Sequence, residues 1–138
     1  MPSKYAAGQC LCGNIQFRAQ LPIKWCVHCH CSMCRMAHGA AFVTWVSVPR
    51  AQFNLISGET HLNWYASSAE ASRGFCGHCG TTLFFRYDDF DPEIYVTLAN
   101  FLEPIDRPPS AHVFYDTHVG WVQLSDNLEQ HDDLPSDP

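Results

Sequence analysis

Charge is scarce in this chain, and positive charge is scarcest: 16% of the 138 residues are charged, with 8 Lys and Arg against 14 Asp and Glu. Lys4, Arg18, Lys24, Arg35, Arg50, Arg73, Arg86 and Arg107 stand singly along it. A chain without a basic cluster has little to neutralise phosphates with, which argues against nucleic acid as a main partner. Residues 125–138 hold five of the acids and no Lys or Arg, so before them eight basic residues face nine acidic ones and the body is nearly neutral. A small anionic ligand stays compatible with that balance. No apolar run approaches the ~20 residues of a membrane span, and residues 1–10 lack a hydrophobic signal core. The expectation is a soluble, cytoplasmic protein with no membrane partner; the sequence assigns no oligomeric state. Internal repeats and low-complexity linkers are also missing. A single domain over 1–130 is expected, followed by a loosely held acidic tail at 131–138.

What is present points to β structure. Apolar residues make up 46%, and 9 Phe, 5 Tyr and 4 Trp accompany 9 Pro and 8 Gly, a mixture of strand formers and turn formers. Residues 13–19 alternate Ile15, Phe17 and Ala19 against polar neighbours, the period of a half-buried strand. Similar runs at 24–29, 41–48, 52–57, 61–66, 82–87, 94–99 and 111–115 are separated by short Gly, Pro, Ser or Asp turns. Such spacing predicts a mainly β fold of antiparallel sheets, with no βαβ alternation. One short helix is expected over 32–38, capped by Ser32 and ended by Gly39, with Cys34 and Arg35 in its first turn. Phe42, Trp45, Trp64 and Tyr65 are expected in the core.

Eight cysteines without an export signal favour metal ligation over disulfides, and zinc fits their spacing. They fall as Cys10-x-Cys12, Cys26, Cys29-x-Cys31-x2-Cys34 and Cys76-x2-Cys79. Each short pair can present two thiolates within one turn, with Gly13, Gly77 and Gly80 giving the backbone freedom needed. One sorting closes a structural zinc site with Cys10, Cys12, Cys76 and Cys79, leaving Cys29, Cys31 and Cys34 as a three-thiolate catalytic site with one open position. The rival adds Cys26 to that trio and leaves nothing reactive. If the segment around 25–31 is extended, Cys29 and Cys31 share one face and Cys26 takes the other, which favours the open site and makes Cys26 a small buried hydrophobe.

A three-thiolate zinc is electron-rich, so hydrolysis is not its obvious task; holding a substrate thiol as a nucleophilic thiolate is. His30 lies between two of these ligands and is a catalytic candidate, although residues alternating with ligands on an extended segment point away from the metal. Arg35 follows Cys34 and Arg73 precedes the last cysteine pair; either can grip a substrate anion, or lie at the surface or against a ligand sulfur. Ser67 and Ser68 read as a turn.

Cys10-x-Cys12-Gly13, CHCSMCR at 29–35 with GAAFVTWVSVP at 39–49, and FCGHCGTTL at 75–83 together resemble the glutathione-dependent formaldehyde-activating enzyme family, which includes centromere protein V. YASS at 65–68, Arg73, His112 and WVQLSDNL at 121–128 extend the likeness, while LEQ at 128–130 departs from it. The resemblance implies a zinc-stapled β-tent fold with two zinc ions per chain. It implies Cys10, Cys12, Cys76 and Cys79 as structural ligands and Cys29, Cys31 and Cys34 as catalytic ones. The reaction it implies is carbon–sulfur lyase or synthase chemistry on a small thiol adduct, typified by glutathione and formaldehyde giving S-hydroxymethylglutathione. Its centromere branch implies the alternative of a non-catalytic zinc module for protein interaction.

Overall fold

The computed structural model describes residues 4–87 and 91–138. The first three residues of the stretch read for a signal core lie outside the described residues. Among the described residues, eleven strands and one α-helix follow in chain order: β1 (Tyr5–Gln9), β2 (Gln16–Gln20), β3 (Trp25–Cys29), α1 (Ser32–His38), β4 (Val43–Pro49), β5 (Phe53–Ser57), β6 (Leu62–Ala66), β7 (Ala71–Cys76), β8 (Thr82–Tyr87), β9 (Glu93–Thr97), β10 (Ala111–Val113) and β11 (Glu129–Gln130). The fold is mainly β. A small sheet runs β1-β2-β5 and a large one runs β11-β10-β3-β4-β9-β8-β7-β6. Pairing is antiparallel except at one end of the large sheet, where β10 runs parallel to both β3 and β11.

The pleat divides the large sheet's side chains between two clusters, because successive residues of a strand face opposite ways. On one face, Cys26, Val46, Val48, Phe84 and Val96 meet Ile15 and Phe17 of the small sheet. Phe17 anchors this first core, with ring centroids 5.5 Å from Phe84, 5.9 Å from Phe53 and 5.3 Å from Phe101. On the other face, Trp25, Val27, Cys29, Trp45, Tyr95 and Val113 form a second cluster with Cys34 of α1. Strand β9 is buried throughout, as a strand covered on both faces must be.

Three expectations change. The helix starts one residue earlier in its capping, with Cys31 rather than Ser32 at the N-cap and no side-chain cap bond, while Gly39 ends it in the left-handed region at φ 59°. Of the four aromatics expected in the core, Trp45 is buried and Trp64 packs against the first cluster, whereas Phe42 is half-buried outside both clusters against His28 and His30, and Tyr65 is exposed. The acidic tail is docked: the His131 amide donates to the His112 carbonyl, the Tyr115 amide to the His131 carbonyl, and Leu134 packs on the second cluster.

Candidate metal and thiol centre

Two tight turns bring four sulfurs together. After β1, the Gly13 amide donates to the Cys10 carbonyl and the Ile15 amide to Cys10 Sγ at 3.3 Å. Between β7 and β8, the Gly80 amide donates to the Cys76 carbonyl and the Cys79 amide to Cys76 Sγ at 3.4 Å. Gly13 and Gly80 each have φ of +80°, where a side chain would be strained, whereas a Cβ on Gly77 would sit 2.2 Å from Asn63 Nδ2 and the Asn63 side chain would have to shift.

The Cys10, Cys12, Cys76 and Cys79 sulfurs all lie within 4.8 Å of one another, and among the described residues this is the group of three or more donors that closes to such spacing. Cys10 and Cys12 Sγ are 3.5 Å apart, and Cys12 and Cys76 Sγ 3.8 Å. A tetrahedral ion with ~2.3 Å metal–sulfur bonds needs sulfur–sulfur edges of about 3.8 Å, so the cluster fits a metal ion such as zinc. Its protons are unevenly held. Thr81's side-chain hydrogen bond draws the Cys79 thiol down to about 5. At Cys12 the Asn14 backbone bond lowers the thiol, but burial and the neighbouring cysteines together push it up to about 12.

The second cysteine group gathers around Cys34. Cys29 and Cys34 share a hydrogen bond at 3.7 Å, which lowers the Cys29 thiol from its ordinary range and raises Cys34. Cys31 is bonded to Cys34 and is also raised. Arg73, on β7, is only 6% exposed and directs both terminal nitrogens at Cys34 Sγ, at 3.7 and 3.6 Å, while its guanidinium carbon lies 5.0 Å from the centre of the Phe85 ring. A buried cation against a sulfur favours that sulfur as thiolate, so this trio also has the donor chemistry for a soft metal ion.

These sulfurs line a cavity of about 220 Å³, bounded by Trp25, Trp45, Phe85 and Tyr95, by Ser67 and Ser68 at the β6–β7 turn, and by Leu134 from the tail. Trp45 is thus both core and pocket wall. Ser67 Oγ is buried and has no hydrogen-bond partner among the described residues.

The remaining sequence candidates go elsewhere. Cys26 is fully buried in the first core, opposite Cys29, and desolvation pushes its thiol up to about 12. Arg35 does not line the cavity; its Nε–H donates to the His30 carbonyl at 3.3 Å. The His30 ring also leaves the cavity and joins a buried chain that residue spacing did not reveal. The Asp126 carboxylate accepts from His112 Nε2–H at 2.9 Å, and His112 Nδ1 and His30 Nε2 are 2.8 Å apart. His30 Nδ1 is buried and has no hydrogen-bond partner among the described residues. Burial, followed by the charge of His112, lowers His30 to about 4. His28 stacks on His112 at 4.9 Å and bonds Thr44 Oγ1 through Nδ1 at 2.8 Å.

The structure thus defines a mainly β chain in which four cysteines from two distant turns could hold a metal ion, with a second cysteine group beside a cavity. The family profile described as glutathione-dependent formaldehyde-activating enzyme matches residues 5–117, and the chain belongs to this family. An uncharacterized lyase of Schizosaccharomyces pombe is 35% identical over 80 residues, which cover 58% of this chain and 56% of that protein. The chain therefore matches little more than half the length of that curated relative. A crystal structure of a Rhodobacter sphaeroides protein, a structural-genomics target, aligns with a TM-score of 0.60 at 21% identity over 72% of this chain and 91% of the other, a likeness of fold. Among the described residues, no helix is long and apolar enough to cross a membrane.

Proposed function

We propose that this protein is a zinc-dependent enzyme that joins or cleaves a carbon–sulfur bond in a small thiol adduct, with glutathione plus formaldehyde as the reference substrates of its family. The observation that carries the reading is the cysteine trio at the wall of a cavity, with buried Arg73 bonded to Cys34 Sγ. In this reading the chain holds two zinc ions: a structural one on Cys10, Cys12, Cys76 and Cys79, and a catalytic one on Cys29, Cys31 and Cys34. Residues 1–130 form the domain, 131–138 extend it, and the working compartment is the cytoplasm.

A zinc ion on three thiolates supplies acidification of an incoming thiol without destroying its nucleophilicity. The chain's own groups do the rest. Arg73 offsets the negative charge of the sulfurs at Cys34, and the aromatic walls exclude water from the adduct. In the forward direction a sulfur–carbon bond forms, the carbonyl π bond breaks, and the thiol's proton is matched by one gained at oxygen. The reverse breaks the carbon–sulfur bond and returns the proton to sulfur.

Cobalt substitution tests the reading. Titrating a small thiol should change the sulfur-to-metal absorption and release about one proton per open site. Spectra unchanged across millimolar thiol, in both the parent and Cys26→Ser, would overturn it.

A further inference from the structure

The cavity is poorly suited to the family's reference thiol. Glutathione is a tripeptide with two carboxylates, an ammonium group and two amides, and recognition of such a ligand needs matching charges and donors at the wall. Arg73 is the single Lys or Arg lining the cavity among the described residues, and both of its terminal nitrogens are already spent on Cys34 Sγ. Behind the wall the charge is negative: the Tyr95 hydroxyl donates to the Asp91 carboxylate at 3.2 Å, with Glu93 at 3.5 Å. The volume, about 220 Å³, also falls below the ~300–1,000 Å³ usual for drug-sized ligands.

What the cavity offers is aromatic surface with little polar relief. Trp25 stacks on Tyr95 at 5.4 Å, and Phe85 lies 5.8 Å from Tyr95 at a tilt. Phe114 adds a second line of argument. It lines the cavity with its backbone in the left-handed region, at φ 52°, and among the described residues it is the one non-glycine with positive φ. A bulky residue there carries backbone strain, which persists where a wall of that shape is worth keeping. Glycine would relieve the strain and remove the ring.

We infer that the substrate of this site is a small thiol adduct with an apolar, aromatic or branched aliphatic body, and that Phe114 selects for it. The inference rests on the thiol-enzyme reading above and narrows its substrate class. The sulfur end meets the cysteine trio, and the apolar body fills the space between Trp25, Trp45, Phe85 and Phe114. Bond changes are those of the proposed reaction.

The test measures binding to the metal-loaded protein by calorimetry and by quenching of tryptophan fluorescence, with benzyl mercaptan, benzyl alcohol and glutathione as probes. Benzyl mercaptan should bind at least ~10-fold more tightly than glutathione, since a buried aromatic body gains transfer energy that charged groups lose. Phe114→Gly, checked for its fold by circular dichroism, should weaken benzyl mercaptan binding by about 10-fold relative to glutathione. Glutathione binding as tightly as benzyl mercaptan, or a Phe114→Gly variant that binds both unchanged, would overturn the inference while leaving the thiol-enzyme reading standing. Benzyl alcohol matching benzyl mercaptan would defeat that reading and still assign an apolar ligand to the cavity. Failure of all three probes to bind would defeat both.

Discussion

Cys12 and Cys76 Sγ lie 3.8 Å apart across 64 positions of sequence, so a metal ion held by the first cluster ties the N-terminal turn to the β7–β8 turn. Removing both ligands on one side, with Cys76→Ser and Cys79→Ser together, opens that loop. Closing a loop of this length takes about 14 cal/mol/K from the unfolded chain, or about 4 kcal/mol at 25 °C. At about 2.1 cal/mol/K per residue, unfolding 138 residues has an entropy near 290 cal/mol/K, so the melting temperature should fall by about 15 °C. Cys31→Ser is the matched control: its partners Cys29 and Cys34 stay together within one turn of chain, no long loop is opened, and the fall should stay below about 5 °C. Circular dichroism melts in reducing buffer, paired with metal analysis, read both values. Chelating the parent should reproduce the melt of the double variant if a metal at this cluster is the clip. Equal losses in the double variant and Cys31→Ser, or a double variant that melts within a few degrees of the parent, would refute separate roles for the two cysteine groups.

The His38 ring is partly buried edge-on to Trp45 at 5.2 Å, and desolvation with the charge of Arg73 lowers it to about 4. A histidine whose folded pKa is depressed favours the fold while neutral, so its contribution is full above about 6.5 and is lost as pH falls from there through about 4. Melting temperatures of His38→Leu should therefore decline less steeply than the parent's over that window, and parallel slopes would count against the assignment. Arg73→Met keeps a long apolar stem but removes the cation from Cys34 Sγ and from the Phe85 face. Competition with a chromophoric chelator should show the cysteine trio holding metal roughly 10-fold less tightly, with the four-cysteine site unchanged; a uniform effect on both sites would reject this role.

Legibility in the sequence followed side-chain period. Eight strands were marked by apolar alternation, and all eight are present, though β10 pairs in parallel through contacts that alternation does not encode. Strands β1 and β7 escaped because their inward positions must be small. A Cβ on Gly8 would lie 2.3 Å from Phe17 Cζ, and one on Gly74 would lie 3.0 Å from the Trp64 ring and 3.2 Å from Phe84 Cβ. The aromatic rings that announce one strand thus erase the hydrophobic signal of its neighbour. Cysteine pairing in the first cluster was local enough to read, since each turn carries its own two ligands. The chain from His30 to His112 to Asp126 was not, because its links span 82 and 14 positions with no shared motif. The tail was misjudged for a related reason: its polarity suggested freedom, but its hold on the body comes from backbone bonds around His131 and from the single apolar contact of Leu134.

The pleat of β3 explains why one segment carries such different chemistry. Cys26 and Cys29 are an odd number of positions apart, so they emerge from opposite faces. Cys26 enters the first core beside Val46, where burial keeps its proton on and no cavity reaches it. Cys29 enters the second cluster beside Cys34, where a shared proton and Arg73 keep its thiol low. His28 and His112 follow the Cys26 side of their strands, while Val27 and Val113 follow Cys29 into the cavity wall. The large sheet therefore separates Cys26, His28 and His112 on one side from Cys29, Cys34 and the cavity on the other. A ligand that reaches the trio has to come from the cavity side, which Cys26 does not share.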